Sequence, residues 1–357
     1  MKIRVTLTLI STFILATATL ITSTATAQSS RPLSLALPSQ PAVALQSSNL
    51  ELIGHINISG IARAVVVRGD YAYVAAQSSG LRVINVSNPA SPVEVGFYDT
   101  PGISYGVEVR GDYAYVADGT ALRVINISNP ASPVEVGSYT IGGMGANDVV
   151  LSGNYAYVAD DGLYDGLRVI NVSNPASPVG VFFYGTSGTA NTVTVSGLYV
   201  YLAAYDAGVH VFFILNPASP VKILSYDTLG WAYHVAVSGN YAYVADAVGL
   251  RVLDVSNLPA FPAEVGFYNM PGGNAMRVTV SEEYAYVADG PAGLKMINVA
   301  TPASPVEVGF YDTPVSTMDV AVDENYIYIV DSYEGLFILR FVPHRYLYLP
   351  LVLRSTP

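Results

Sequence analysis

From about residue 50 onward, the apolar positions fall in short runs of four to seven residues. The runs are β-branched or aromatic and each is bounded by Gly, Pro, Asn or Asp. Runs of that length with those boundaries are the pattern of strands and turns. No window sustains a 3.6-residue period, and proline recurs too often for helices. The runs also repeat. A Tyr-Ala-Tyr-Val-Ala-Asp segment, or a close variant, begins at Tyr71, Tyr113, Tyr155, Tyr199, Tyr241, Tyr284 and Tyr326, 42 to 44 residues apart. Around it every unit keeps one order. A Val-rich run (Val107–Val109) precedes the Tyr run. Gly-Leu-Arg-Val-Ile-Asn-Val-Ser (Gly80–Ser87), the loop Asn-Pro-Ala-Ser-Pro (Asn88–Pro92) and Val-Glu-Val-Gly-Phe-Tyr (Val93–Tyr98) come after it. Four short strands per repeat, seven times over, predict an all-β fold, a seven-bladed β-propeller.

The two ends of the repeat region fit together. The seventh unit stops at its third strand, Leu336–Val342, with no fourth behind it. Ahead of the first unit, Glu51–Gly60 matches the fourth strand of that unit in apolar pattern and at Gly54 and Gly60. Residues 51–56 are therefore expected to complete the last blade. That closure removes the open strand edges of the ring.

The Gly-Leu-Arg-Val-Ile-Asn-Val-Ser-Asn-Pro unit, with Tyr-Ala-Tyr-Val-Ala-Asp before it, resembles the LVIVD repeat of bacterial and archaeal exported or cell-surface proteins. The resemblance spans residues 51–342. The family's last-position Asp stands only at Asp254; the column otherwise reads Asn85, Asn126, Asn171 and Asn298, with Phe213 and Arg340 as outliers. The resemblance implies a propeller at the cell exterior and no common activity.

Composition, charge and the two ends of the chain add to this picture. The 357 residues are 51% apolar and 12% charged, which excludes intrinsic disorder. With no cysteine, disulfide scaffolds, Cys-ligated metals and thiol nucleophiles are excluded as well. A formal charge of −11 argues against a nucleic-acid partner, which needs clustered Lys and Arg. Lys2 and Arg4, an apolar run to about Thr22, and Ala25-Thr26-Ala27 stand in the order of a cleaved signal peptide, residues 1–27. An uncleaved anchor is the alternative, because the run is nearly long enough to span a bilayer. Residues 28–49, rich in Ser, Pro, Gln and Ala, read as a flexible linker, 50–342 as the propeller and 343–357 as a C-terminal tail. The apolar tail is a candidate sorting or docking segment, or else packs on the propeller.

Repeats separate scaffold from exceptions. The Tyr pairs and the Asn-x-Ser segments at Asn57, Asn85, Asn126 and Asn171 recur and read as packing and turn formation. The Asp ending the second strand recurs at Asp118, Asp160, Asp246, Asp289 and Asp331 and reads as a turn-holding residue. In the third repeat Asp160, Asp161 and Asp165 lie within six residues, a candidate set of oxygen ligands for Ca²⁺ without EF-hand spacing. The most informative column lies seven residues before each anchor Tyr. It reads Ala64, Gly106, Asp148, Thr192, His234, Arg277 and Asp319, next to an unbroken column of Val. This variable column is expected to ring one mouth of the central channel, with Glu108 pointing the same way. Tyr105 and Trp231 lie nearby and offer aromatic surface.

Together these features describe an exported or cell-surface, monomeric, non-enzymatic scaffold for protein or glycan interaction, with no transmembrane span after signal cleavage. The alternative is an extracellular polysaccharide hydrolase or lyase with Asp148, His234, Arg277 and Asp319 at the channel mouth. No Ser/His/Asp set, metal-ligand motif or phosphate-binding glycine loop is present.

Overall fold

A strand stacked between neighbouring sheets must be apolar on both faces, and the Tyr-Ala-Tyr-Val-Ala runs are. In Tyr71–Ala75, Tyr113–Ala117 and Tyr284–Ala288, every residue after the first is buried. The computed structural model describes residues 47–343, apart from 144, 163 and 164. The proposed signal, most of the linker and all but the first residue of the tail lie outside the described residues. Among the described residues no helix is long and apolar enough to cross a membrane.

The described residues form seven antiparallel sheets, six of them laid down from the inside outward in chain order. The first runs from Ala64–Arg68 through Tyr71–Ala75 and Leu81–Asn85 to Val93–Tyr98. Consecutive innermost strands pack side by side around the ring, and Thr317–Val322 of the seventh blade packs against Ala64–Arg68 of the first. Closure takes the expected route. Leu50–Ile56 pairs antiparallel with Gly335–Phe341 and becomes the outer strand of the seventh blade. The chain then goes one step further. Ser47–Ser48, read from sequence as linker, pairs with Phe310 and Tyr311 on the outer edge of blade six.

The core lies between blades, not within them. Among the described residues it divides into seven apolar clusters, each joining two neighbouring blades. Tyr73, Leu81 and Val83 of the first blade meet Val107, Val109 and Val116 of the second. Ile58, Val65 and Val74 meet Val330, Leu336 and Ile338 across the closure.

The loops add a second inter-blade contact. A Cβ on Gly54, Gly96, Gly137 or Gly266 would lie 2.0–2.3 Å from the carbonyl oxygen of Pro89, Pro130, Pro175 or Pro302. The glycine of Val-Glu-Val-Gly is thus the seat of the next blade's Asn/Thr-Pro-Ala-Ser-Pro loop. In blade four the equivalent position is Leu224, opposite Val211. There the facing loop departs from the consensus, with a cis Leu258–Pro259 bond, and Leu224 and Leu258 pack on the same cluster.

Candidate functional site

The unbroken Val column (Val65, Val107, Val149, Val193, Val235, Val278 and Val320) is buried in all seven blades. Its variable neighbour lines the channel, but as a waist and not as a mouth. Four of its five polar members tie their blade to the next. Asp148 Oδ2 accepts the Val193 N–H at 3.1 Å. His234 Nδ1 accepts the Val278 N–H at 3.4 Å. Asp319 Oδ2 accepts the Val65 N–H at 2.9 Å, and its Oδ1 takes the Val320 N–H at 2.8 Å. Thr192 works the other way, donating to the Tyr233 carbonyl at 2.9 Å. Two residues further along, Thr279 donates to the Val320 carbonyl at 2.9 Å. At Gly106 a Cβ would sit 2.9 Å from Asp148 Oδ1, so the glycine leaves room for that carboxylate.

Arg277 bars the channel. From blade six it reaches Asp148 of blade three, with Nη2 3.2 Å from Oδ1 and Nη1 3.4 Å from Oδ2. Its Nε lies 3.9 Å from Asp319 Oδ1. Burial works against the guanidinium charge, but Asp148 and then Asp319 more than offset it and hold Arg277 above its ordinary value. Burial pushes Asp319 up, against the pull of Arg277. Burial, reinforced by Arg277, keeps His234 well below the usual imidazole range, so its ring is neutral.

Arg277 divides the channel into two cavities. The one below holds about 310 Å³ and is lined by Glu108, Asp148, His234 and Asp319. Glu108 faces Arg68, 3.5 Å away, and burial raises its carboxyl. The one above is the mouth proper, about 380 Å³. Its wall is a column that strict strand alternation conceals, eight residues before each anchor Tyr: Arg63, Tyr105, Asn147, Asn191, Tyr233, Met276 and Met318. Thr192, Asp161 and Tyr205 complete it.

Two adjacent residues both face the channel because the strands bulge at that point. Register shifts fall between Ala146 and Asp148, between Ala232 and His234, and between Thr317 and Asp319. The extra residues are Asn147, Tyr233 and Met318. A bulge breaks the two-residue alternation of strand faces, and strict alternation exposes only one of the two columns. The signal that would have found the mouth is the same alignment of repeats, taken one position earlier.

The remaining predicted site residues separate. Trp231 is 55% exposed, stands outside the basin and meets the Tyr205 ring edge-on at 6.4 Å. The Asp160 carboxylate is taken by Arg168. Asp161 lines the mouth and accepts from Asn147 Nδ2 at 3.3 Å. Among the described residues no group of three acidic or imidazole side chains is placed to hold a metal ion. Of the set expected to offer oxygen ligands to Ca²⁺, Asp160 gives one carboxylate oxygen to Arg168, while Asp161 and Asp165 lie within side-chain contact of each other.

Comparison with known proteins bears on fold and family. A family model described as the LVIVD repeat matches residues 59–100, 101–141, 142–186, 187–228, 229–270, 272–313 and 315–339. No curated protein matches the chain in sequence. Among solved structures, the chain is similar to the Cps50 (Swd1) β-propeller domain of Myceliophteria thermophila, with TM-score 0.67 and 11% identity over 82% of this chain and 99% of that one. It is similar to BamB from Moraxella catarrhalis, with TM-score 0.60 and 13% identity over 83% and 99%. The computationally designed Ika8 protein gives TM-score 0.58 and 10% identity over 82% and 99%. At such identities these likenesses show the fold alone.

Proposed function

The chain belongs to the LVIVD repeat family, and from that premise we propose that it is an exported, monomeric, non-enzymatic interaction module that recognises an extracellular partner at the channel mouth. One observation carries the reading: the polar groups of the waist are engaged in holding the ring together. Asp148, His234 and Asp319 each accept a backbone N–H from the next blade, and Arg277 closes between the two carboxylates. General acid–base catalysis needs a proton-transfer group within reach of a reacting atom. The four residues of the hydrolase alternative are all engaged in such contacts, which favours the scaffold reading. The mouth, by contrast, is open, mixed in polarity and built from residues that differ from blade to blade, as recognition surfaces on rigid scaffolds are. The signal-like residues 1–27 support an extracytoplasmic address.

The test sets the two readings against each other. The purified protein is incubated with a panel of extracellular polysaccharides, and reducing ends and unsaturated products are measured across pH. No turnover is expected. His234→Ala and Asp319→Ala are expected to lose about 1–3 kcal/mol of stability each, because each leaves a buried N–H without its acceptor. A pH-dependent activity abolished by His234→Ala, with the melting curve unchanged, would reverse the reading.

A further inference from the structure

We propose that the mouth above Arg277 takes a carboxylate of a polypeptide partner onto Arg63, with an adjoining apolar side chain seated on Leu229 and Trp231. The inference rests on the interaction reading above and names its ligand chemistry.

Arg63 stands apart from the other half-buried and buried arginines among the described residues. Arg82, Arg123, Arg168, Arg251 and Arg277 are all half-buried or buried, and each is paired with at least one carboxylate. Arg63 lines the mouth cavity, yet among the described residues no carboxylate lies within ion-pair distance and no side-chain hydrogen bond reaches its guanidinium. The guanidinium lies instead over the face of Tyr105, 5.8 Å from the centroid. Burial, with Arg277 beneath it, pulls Arg63 below its ordinary value. A cation withdrawn from water without a partner is costly. The planar guanidinium fork is suited to one ligand group above others, a carboxylate bound through paired N–H donors.

The opposite wall leads outward along an apolar path. Tyr233 and Tyr205 meet edge-on at 5.1 Å, and Tyr205 meets Trp231 at the rim. Leu229, two residues before Trp231, is 87% exposed with φ +61°. A branched side chain in the left-handed region is strained, and strain of this kind gathers at ligand-contacting segments. Asp227 holds the conformation by accepting the Leu229 N–H at 2.8 Å.

These surfaces select the occupant. Sugar recognition needs open aromatic faces, but within the basin Arg63 covers Tyr105 and Tyr205 is packed between two other rings, which leaves only Trp231, at the rim, with an exposed ring. An exposed aliphatic side chain adds no stacking face. The chain's net charge of −11 repels an acidic polymer, whereas one carboxylate flanked by apolar residues meets Arg63 without that penalty. The carboxylate comes from an acidic side chain or from a chain terminus, and the experiment separates the two.

The full chain, immobilised, is panned against two random heptapeptide libraries, one with free C-termini and one with C-terminal amides. Asp or Glu beside Leu, Ile, Phe or Trp, enriched in both libraries, assigns a side-chain carboxylate. Apolar C-terminal residues, enriched only in the free-acid library, assign the terminus. In either case Arg63→Gln should weaken the selected peptide at least tenfold without lowering the melting temperature. Leu229→Gly should weaken it several-fold while raising the melting temperature, a pairing that misfolding cannot produce. No enrichment, a basic consensus, or affinity unmoved by Arg63→Gln overturns the proposal. Uronic-acid oligosaccharide binding lost in Arg63→Gln, with no peptide enriched, overturns the polypeptide assignment but leaves the interaction reading standing. Turnover of polysaccharide by the wild type would instead overturn the interaction reading itself.

Discussion

At the residue scale, the repeats let one position be compared seven times in one molecule. The Asp that ends the second strand is the clearest case. Asp118 accepts the Gly102 and Ala121 N–H groups, Asp331 accepts those of Val315 and Ser316, and Asp246 pairs with Arg251 at 2.9 Å. Those contacts match the turn-holding role read from sequence. In blade six the third strand carries Lys295 where blades one, two, three and five carry Arg. Its ammonium sits over Phe310, 4.9 Å to the centroid, and leaves Asp289 Oδ1 buried without a partner. Burial then pushes Asp289 up to about 7. An acid whose folded pKa exceeds its unfolded one holds more protons when native, so stability falls as pH rises from about 4 to about 7 and stays low above that. His234 acts with the opposite sign. Its folded pKa is depressed, so stability falls as pH drops below the unfolded value near 6.5. Asp289→Asn is expected to gain roughly 1–3 kcal/mol at pH 8 and to remove the decline between pH 4 and 7, while the acid-side loss from His234 persists. Thermal melts across pH in both proteins check this.

At the scale of elements, strands and hairpins were legible because their signals are local: apolar runs, β-branching and turn residues within a few positions. The contacts between elements were not. Asp148 and Arg277 meet although 129 residues separate them, and no periodicity encodes that pair. The mouth column, Tyr105 apart, was missed for a different reason. Alternation assigns one of two adjacent residues to a face, and the bulges at Asn147, Tyr233 and Met318 suspend that rule. The Pro-Ala-Ser-Pro motif was legible as a turn, but its partner was not, since that partner is a glycine of the preceding blade. Gly96→Ala places a Cβ 2.1 Å from the Pro130 carbonyl oxygen, and a backbone atom cannot swing aside as a side chain does. The expected loss is about 1–3 kcal/mol, read as a lower denaturant midpoint with the slope unchanged. Gly185→Ala is the control. That glycine also lies on an outer strand, but its nearest prospective neighbour is 3.8 Å away, so little change is expected.

For the whole molecule, ring closure was legible because Leu50–Ile56 carries the pattern of a fourth strand in the wrong place in the sequence, and only the seventh blade lacks one. The Ser47–Ser48 pairing was not legible, since two serines carry no apolar signal and the contact is between backbones. Together these segments tie the N-terminal end of the propeller to blades six and seven. Because the core lies between blades, each blade depends on two neighbours, and closure supplies the seventh interface. Deleting residues 47–58 bares the Gly335–Phe341 edge and removes Leu50 and Ile58, both buried, from two inter-blade clusters. Two such side chains account for roughly 3–6 kcal/mol, before any ladder hydrogen bond is counted. That is comparable with the whole margin of a typical fold, about 5–15 kcal/mol. The Arg340–Glu51 pair, exposed at 2.7 Å, adds little to this total. The truncated chain should therefore lose its single sharp unfolding transition, and a synthetic peptide of residues 47–60 added in trans should restore it in a concentration-dependent way. A truncated chain that melts as sharply and as late as the full one would show that three strands suffice for the seventh blade, and that the inner-strand contacts alone close the ring.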